Sequence, residues 1–340
     1  MRLQSHNATR GDTRYAYACG VIRALEVRLL GKQRLERLAE ARDLDEAIRL
    51  LSDTDYGRHF ENISSLGYYR CLENELRSLL TLVDRLSVDP KVSEILRIRF
   101  DFHNLKVALR EKASEKDLGS LYLDYGCLPA ELVRSAVKAE TFEILPDHLC
   151  EAAKQGLRVF ASSSDPSEMD AAIDRSMYAT WLERVKLYRS PYLEYLVRTM
   201  IDLANIRIFL RARYHQIESR KISDLLIEDG FLPTSLFREC YSLSSQDVKQ
   251  RFDQSPYRLI FELGIDGIET RGSFTDMERE IDAYLLSILK LARYFTFGLE
   301  VIIAYALIKE NEIRNLRLIL AAKEHGIDAS RVKERITVAD

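Results

Sequence analysis

Glycine and proline are scarce in this chain of 340 residues. There are 14 and 7 of them, roughly 6% together, against about 12% in average usage. So few turn-formers exclude a fold of many short strands and tight hairpins and favour long helices with short connections. Charge of one sign is lacking too: 50 basic and 53 acidic residues leave a formal charge of −3. That balance gives no field for gathering nucleic acid and no polybasic run for an anionic membrane surface.

Long apolar runs are missing as well. The most apolar stretch, Leu285 to Ile308, is interrupted by Lys290, Arg293 and Glu300, where a membrane span needs about 18 nearly uncharged residues. Residues 1–14 are polar and do not read as a secretory signal. The five cysteines (Cys19, Cys71, Cys127, Cys150, Cys240) are scattered and have no CxxC spacing. They read as small buried thiols in a reducing compartment. The Asn62-Ile63-Ser64 sequon is coincidental in such a compartment.

Catalytic signatures are absent in the same way. Gly31-Lys32 is followed by Gln33 with no phosphate loop before it, and there is no HExxH pair and no GxSxG elbow. None of the six histidines precedes an aspartate, so the dipeptide of helical phosphohydrolases is missing. His103 reads as a packing or surface histidine. Asp43, Asp45 and Glu46 read as helix-capping acids rather than metal ligands. The sequence therefore predicts no catalytic residue, no metal and no cofactor.

What is present is helix grammar. A first helix is expected after Asp12-Thr13, with Tyr15, Ala18, Ile22, Leu25 and Leu29 on one face and Gly31 as its stop. Asp43 is expected to cap a short helix at about 43–52. Helices are predicted over 67–86 and 90–112, the latter opening on Asp89-Pro90. The same start recurs at Asp165-Pro166, at Ser190-Pro191, and at Thr275 with Glu278. The fold class is all-α.

Three helices repeat one pattern: DFHNLKVALR (101–110), DLANIRIFLR (202–211) and EIRNLRLILA (312–321). In each, an acid (Asp101, Asp202, Glu312) is followed three residues later by an asparagine (Asn104, Asn205, Asn315). Asparagine is a poor mid-helix residue unless its amide bonds something, so three copies suggest a repeated polar clasp. Gly126-Cys127-Leu128-Pro129 and Gly230-Phe231-Leu232-Pro233 form a second repeated element. A period of about 100–110 residues fits three related helical domains, 1–112, 113–219 and 220–340. Arginine supplies 36 of the 50 basic residues, which suits polar protein contacts.

Two stretches carry a family resemblance. YAYACGVIRALEVRLL (15–30) with DLDEAIRLLSDTDYG (43–57), and IKENEIRNLRLILAAKEHGID (308–328), resemble the opening and closing signatures of the C subunits of V/A-type ATPases, the family of the eukaryotic d subunit. One departure is Gly298-Leu299-Glu300, where relatives often place proline after the glycine. The resemblance implies three similar helical domains in a pseudo-threefold funnel. It implies a non-catalytic central-stalk component, a socket between the rotor shaft and the membrane proteolipid ring. The protein would be a monomer alone and present once per complex, cytoplasmic and peripheral to the membrane through that complex. A generic helical adaptor unrelated to rotary ATPases explains the same repeat from the residues alone.

Overall fold

The computed structural model describes residues 12–60 and 67–338; His6 and the Asn62 sequon lie outside them. Among the described residues there are seventeen α-helices and no strand. The chain is all-α. It divides into two compact units, one built from residues 1–93 and 274–340 and the other from 94–273. These divisions follow spatial contact, whereas the three-part division follows sequence pattern.

The first unit contains α1 (Ala16–Glu26), α2 (Lys32–Glu40), α3 (Leu44–Leu51), α4 (Gly57–Phe60) and α5 (Tyr68–Leu86). It also contains α15 (Thr275–Leu289), α16 (Leu299–Glu324) and α17 (Ala329–Lys333). α16 is its axis and packs against α1, α2, α3, α5 and α15. Ile313, Leu316, Ile319 and Leu320 of α16 meet Leu35 and Leu38 of α2, Leu51 of α3 and Leu72 of α5 in one buried cluster. The strongly apolar start of α16, from Val301 to Leu307, is buried as well, as a helix hydrophobic on several faces requires.

The second unit holds most of α6 (Lys91–Ser114), then α7 (Ala130–Ala139), α8 (Asp147–Ser163), α9 (Pro166–Leu187) and α10 (Pro191–Tyr214). α11 (Ile222–Leu225), α12 (Thr234–Cys240), α13 (Ser245–Phe252) and α14 (Arg258–Arg271) follow. α9 packs on both α8 and α10. Phe209 of α10 meets Phe237 of α12 with ring centroids 5.7 Å apart, and Phe252 of α13 stacks on Phe261 of α14 at 3.8 Å.

Several helix starts follow local chemistry. Asp43 accepts from the Glu46 amide, Asp89 from Lys91, Asp165 from Ser167 and Ser190 from Leu193, each occupying a donor that the first turn leaves free. Three expectations need correction. Gly31 does not end the first helix: α1 stops at Glu26, and Gly31 is the extended residue that opens α2. The helix has already tightened before that point, with the Arg28 and Leu29 amides bonded three residues back to Leu25 and Glu26, and the Leu30 amide then goes to the Glu312 carboxylate. Thr275 is the first residue of α15 rather than its cap. Cys127 is exposed, since it sits in a surface turn; the other four thiols are buried. Gly298 adopts φ 149°, a region that favours glycine, and α16 begins at the next residue.

Candidate functional site

The three acid–asparagine pairs lie near the middle of α6, α10 and α16, and all six residues are buried. A spacing of three puts acid and amide on one helix face. The asparagines do one job. Asn104 donates to the Leu123 carbonyl at 2.8 Å and accepts from the Leu123 amide at 2.9 Å. Asn205 does the same to Ile227, at 2.7 and 2.8 Å. Asn315 donates to the Thr337 carbonyl at 2.7 Å, an oxygen it shares with Asn311. In each case a long helix holds the irregular segment that follows it. Stranding such a buried backbone group costs about 1–3 kcal/mol.

The acids hold turns. Asp101 accepts from the Cys127 and Leu128 amides, both at 3.0 Å. Asp202 accepts from the Leu232 amide at 3.0 Å and the Tyr257 hydroxyl at 2.7 Å. These are the two Gly-x-Leu-Pro turns, and the carboxylates explain their glycines. A Cβ on Gly126 would stand 2.1 Å from Asp101 Oδ1, and one on Gly230 2.2 Å from Asp202 Oδ1. Burial pushes both carboxyls above their ordinary value, and the amide bonds offset only part of that.

Glu312 holds the N-terminal segment of the chain. Its Oε2 accepts from the Leu30 amide and its Oε1 from the Tyr56 hydroxyl at 2.7 Å. The parallel with Asp202 is close: amide of Leu232 and hydroxyl of Tyr257 there, amide of Leu30 and hydroxyl of Tyr56 here. Both tyrosines follow a hydroxyl residue two positions earlier, Thr54 or Ser255, whose side-chain oxygen accepts from the tyrosine amide. α16 therefore grips the residues leading into α2 as α10 grips those leading into α12. The Leu30 turn has Arg28 where the Leu232 turn has Gly230, and the acid that meets it is the longer glutamate.

Glu312 also belongs to a buried ion cluster that the other two pairs lack. Lys309 Nζ lies 2.7 Å from Glu312 Oε1 and 3.4 Å from Glu75 Oε1, and 4.2 Å from the centre of the Tyr56 ring. Glu75 Oε2 receives Arg58 at 2.9 Å and His59 Nε2 at 2.8 Å. The formal charges of Lys309, Arg58, Glu75 and Glu312 sum to zero, the condition under which ions tolerate burial. Burial alone would raise the Glu75 carboxyl; Lys309, Arg58 and His59 outweigh it and hold it below its ordinary value. Burial, then the Glu312 carboxylate, push the Tyr56 hydroxyl far up and keep it a donor.

Among the described residues no group of three or more His, Cys, Asp or Glu is arranged to hold a metal ion. No helix there is long and apolar enough to cross a membrane. The sequence profile of the ATP synthase (C/AC39) subunit family matches residues 18–335. The chain belongs to this family. Similar proteins include the C subunit of the A-type ATP synthase of Pyrococcus abyssi, 26% identical over 95% of this chain and 90% of that protein. That of Methanocaldococcus jannaschii is 23% identical over 94% and 85%. The C subunit of the V-type sodium ATPase of Enterococcus hirae is 22% identical over 93% and 96%.

Within this C/AC39 chain, sequence reasoning singled out the six acid and asparagine residues. It missed Glu75, Lys309, Tyr56 and Tyr257. The hydroxyl-x-Tyr pair at Thr54 and Ser255 was a usable signal for the tyrosines. Nothing local marks Glu75 and Lys309, which meet only through tertiary packing.

Proposed function

We propose that this chain is the non-catalytic central-stalk component of a V/A-type ATPase, a socket that joins the rotor shaft to the membrane proteolipid ring. The observation that carries the reading is a family match over nearly the whole chain, with relatives named for both A-type synthases and a V-type sodium pump. The three sequence repeats are then three related domains, 1–112, 113–219 and 220–340, in a pseudo-threefold funnel. Torque transmission needs stiffness rather than reactive groups. Long capped helices clasped at mid-length by buried acid–asparagine pairs supply it, and the Glu312 grip ties the N-terminal segment to the last long helix.

The test is paired measurement of ATP hydrolysis and ATP-driven ion uptake in vesicles, with and without this chain. Hydrolysis should persist in its absence, because the nucleotide sites lie in other subunits, while uptake should vanish and return on adding the chain back. Full uptake in its verified absence would refute the coupling role. Failure to copurify with head and proteolipid subunits would point to a generic adaptor instead.

A further inference from the structure

Within the first unit, α2 and the end of α3 enclose a small pocket of about 200 Å³. Its floor is fixed by the core: Leu38 belongs to the buried cluster and Leu50 packs against it. Three arginines line it, Arg34 and Arg37 from α2 and Arg49 from α3, with a single carboxylate, Asp53.

These cations are held together against their own repulsion. Arg34 and Arg37 stand three residues apart and so share one face of α2. Arg34 also lies in the first turn of α2, where the helix dipole disfavours a cation. Asp53 offsets that cost, 2.7 Å away. Arg37 and Arg49 have no such relief: among the described residues, neither guanidinium forms an ion pair or hydrogen bond with a carboxylate. The acids nearest in the chain are engaged elsewhere. Glu40 is bound by Lys333 of α17, and Glu36 attracts the same lysine. Asp43 takes the Arg42 side chain at 2.8 Å, and Glu46 takes the Arg42 amide at 2.7 Å. A helix C-terminus accounts for one cation in each last turn, Arg37 on α2 and Arg49 on α3. It does not account for both lining one pocket beside Arg34.

We propose that this pocket binds a phosphate dianion. Three positive charges less the one negative charge of Asp53 leave a surplus that matches it. Guanidinium groups present paired N–H donors in one plane, the geometry that grips phosphate oxygens. A single carboxylate would leave half of the surplus unmatched. The volume lies below the roughly 300–1,000 Å³ of sites that enclose drug-sized molecules, so the group held is small or is the exposed end of something larger. Free phosphate and the monoester headgroup of phosphatidic acid carry the same chemistry. The site goes beyond the stalk role proposed above and does not depend on it.

The full chain is titrated with inorganic phosphate at constant ionic strength, by calorimetry and by thermal unfolding. Saturable binding is expected, with a thermal midpoint that rises with phosphate. Arg37→Gln with Arg49→Gln should weaken that binding by roughly tenfold or more, with the midpoint of the unliganded chain unchanged or higher because the repulsion is gone. Arg37→Lys with Arg49→Lys keeps the charge without the planar fork and should restore only part of the affinity. Arg158→Gln, at an exposed arginine of the second unit, should change nothing. Vesicles containing phosphatidic acid distinguish the source: binding to them that needs the arginines, without binding of free phosphate, keeps the site and makes the lipid headgroup its ligand. No saturable response to either probe, or an equal response to chloride, overturns the proposal, as does equal affinity in the wild type and the glutamine variant. Impaired association of that variant with an acidic protein, where the wild type binds no phosphate, assigns the arginines to that protein and overturns it as well.

Discussion

Asp202 and Glu312 solve the same problem with different means. Each carboxylate, buried mid-way along a long helix, receives one backbone amide and one tyrosine hydroxyl. At Asp202 the turn comes to the acid: Gly230 removes a side chain, and the short aspartate fits against the backbone. At Glu312 the acid reaches out past a turn that carries Arg28, and the longer side chain brings its charge to Lys309. Three residues before the acid, α10 has buried Thr199 where α16 has Lys309. One junction is therefore a neutralised ion cluster and the other a lone carboxyl raised by burial. A shared hydrogen-bond pattern does not imply shared electrostatics.

The largest expected effect separates the two at that position. Lys309→Met leaves Glu75 and Glu312 without their common cation and should cost about 3–5 kcal/mol in urea unfolding. Thr199→Val should be neutral or slightly stabilising, because the Thr199 hydroxyl is buried without a hydrogen-bond partner. A loss above about 1 kcal/mol for Thr199→Val would erase the contrast.

Next come the turns. Gly230→Ala forces a Cβ against Asp202 and should cost about 1–3 kcal/mol, visible as a lower urea midpoint with unchanged slope. Trp181 in α9 offers a fluorescence report from the same unit. Arg28→Ala removes a pair with Asp55 whose arginine is largely exposed and should cost about 1 kcal/mol or less. Equal tolerance of the two would mean that the glycine is not fitted to the acid. The asparagines grade similarly: Asn205→Ala strands both the amide and the carbonyl of Ile227 and should cost about 1–3 kcal/mol. Asn315→Ala should cost less, since Asn311 still donates to the Thr337 carbonyl.

The smallest effect is in pH dependence, and the two junctions should differ in sign. Glu75 is held below its ordinary 4.5. Its stabilisation is complete above that value and is lost as pH falls through the lower folded value. Asp202 is raised above its ordinary 3.8. Its ionised form costs stability, and that cost is relieved as pH falls through the raised folded value. Glu75→Gln should therefore make the thermal midpoint fall less steeply below about pH 4.5, and Asp202→Asn should make it fall more steeply as pH comes down toward about 3.8. Matching slopes in the two variants would show that the junctions titrate alike.

The sequence by itself determined the helical class and the starts of the capped long helices. Scarce glycine and proline leave little but helix, and a cap such as Asp43, Asp165 or Ser190 acts on amides two or three residues away. The acid and asparagine positions were legible for a related reason: a polar residue that disfavours helix interiors stands out when it recurs in one context. Tertiary structure alone decided what those residues hold. Nothing near Glu312 in the chain indicates that it binds Leu30, 282 residues away. Local rules favour a stop at Gly31, yet α1 ends at Glu26. The Glu75–Lys309 contact is likewise invisible in the sequence, because the stability of a buried ion depends on which charges the fold brings within a few ångströms, and spacing along the chain does not encode that distance.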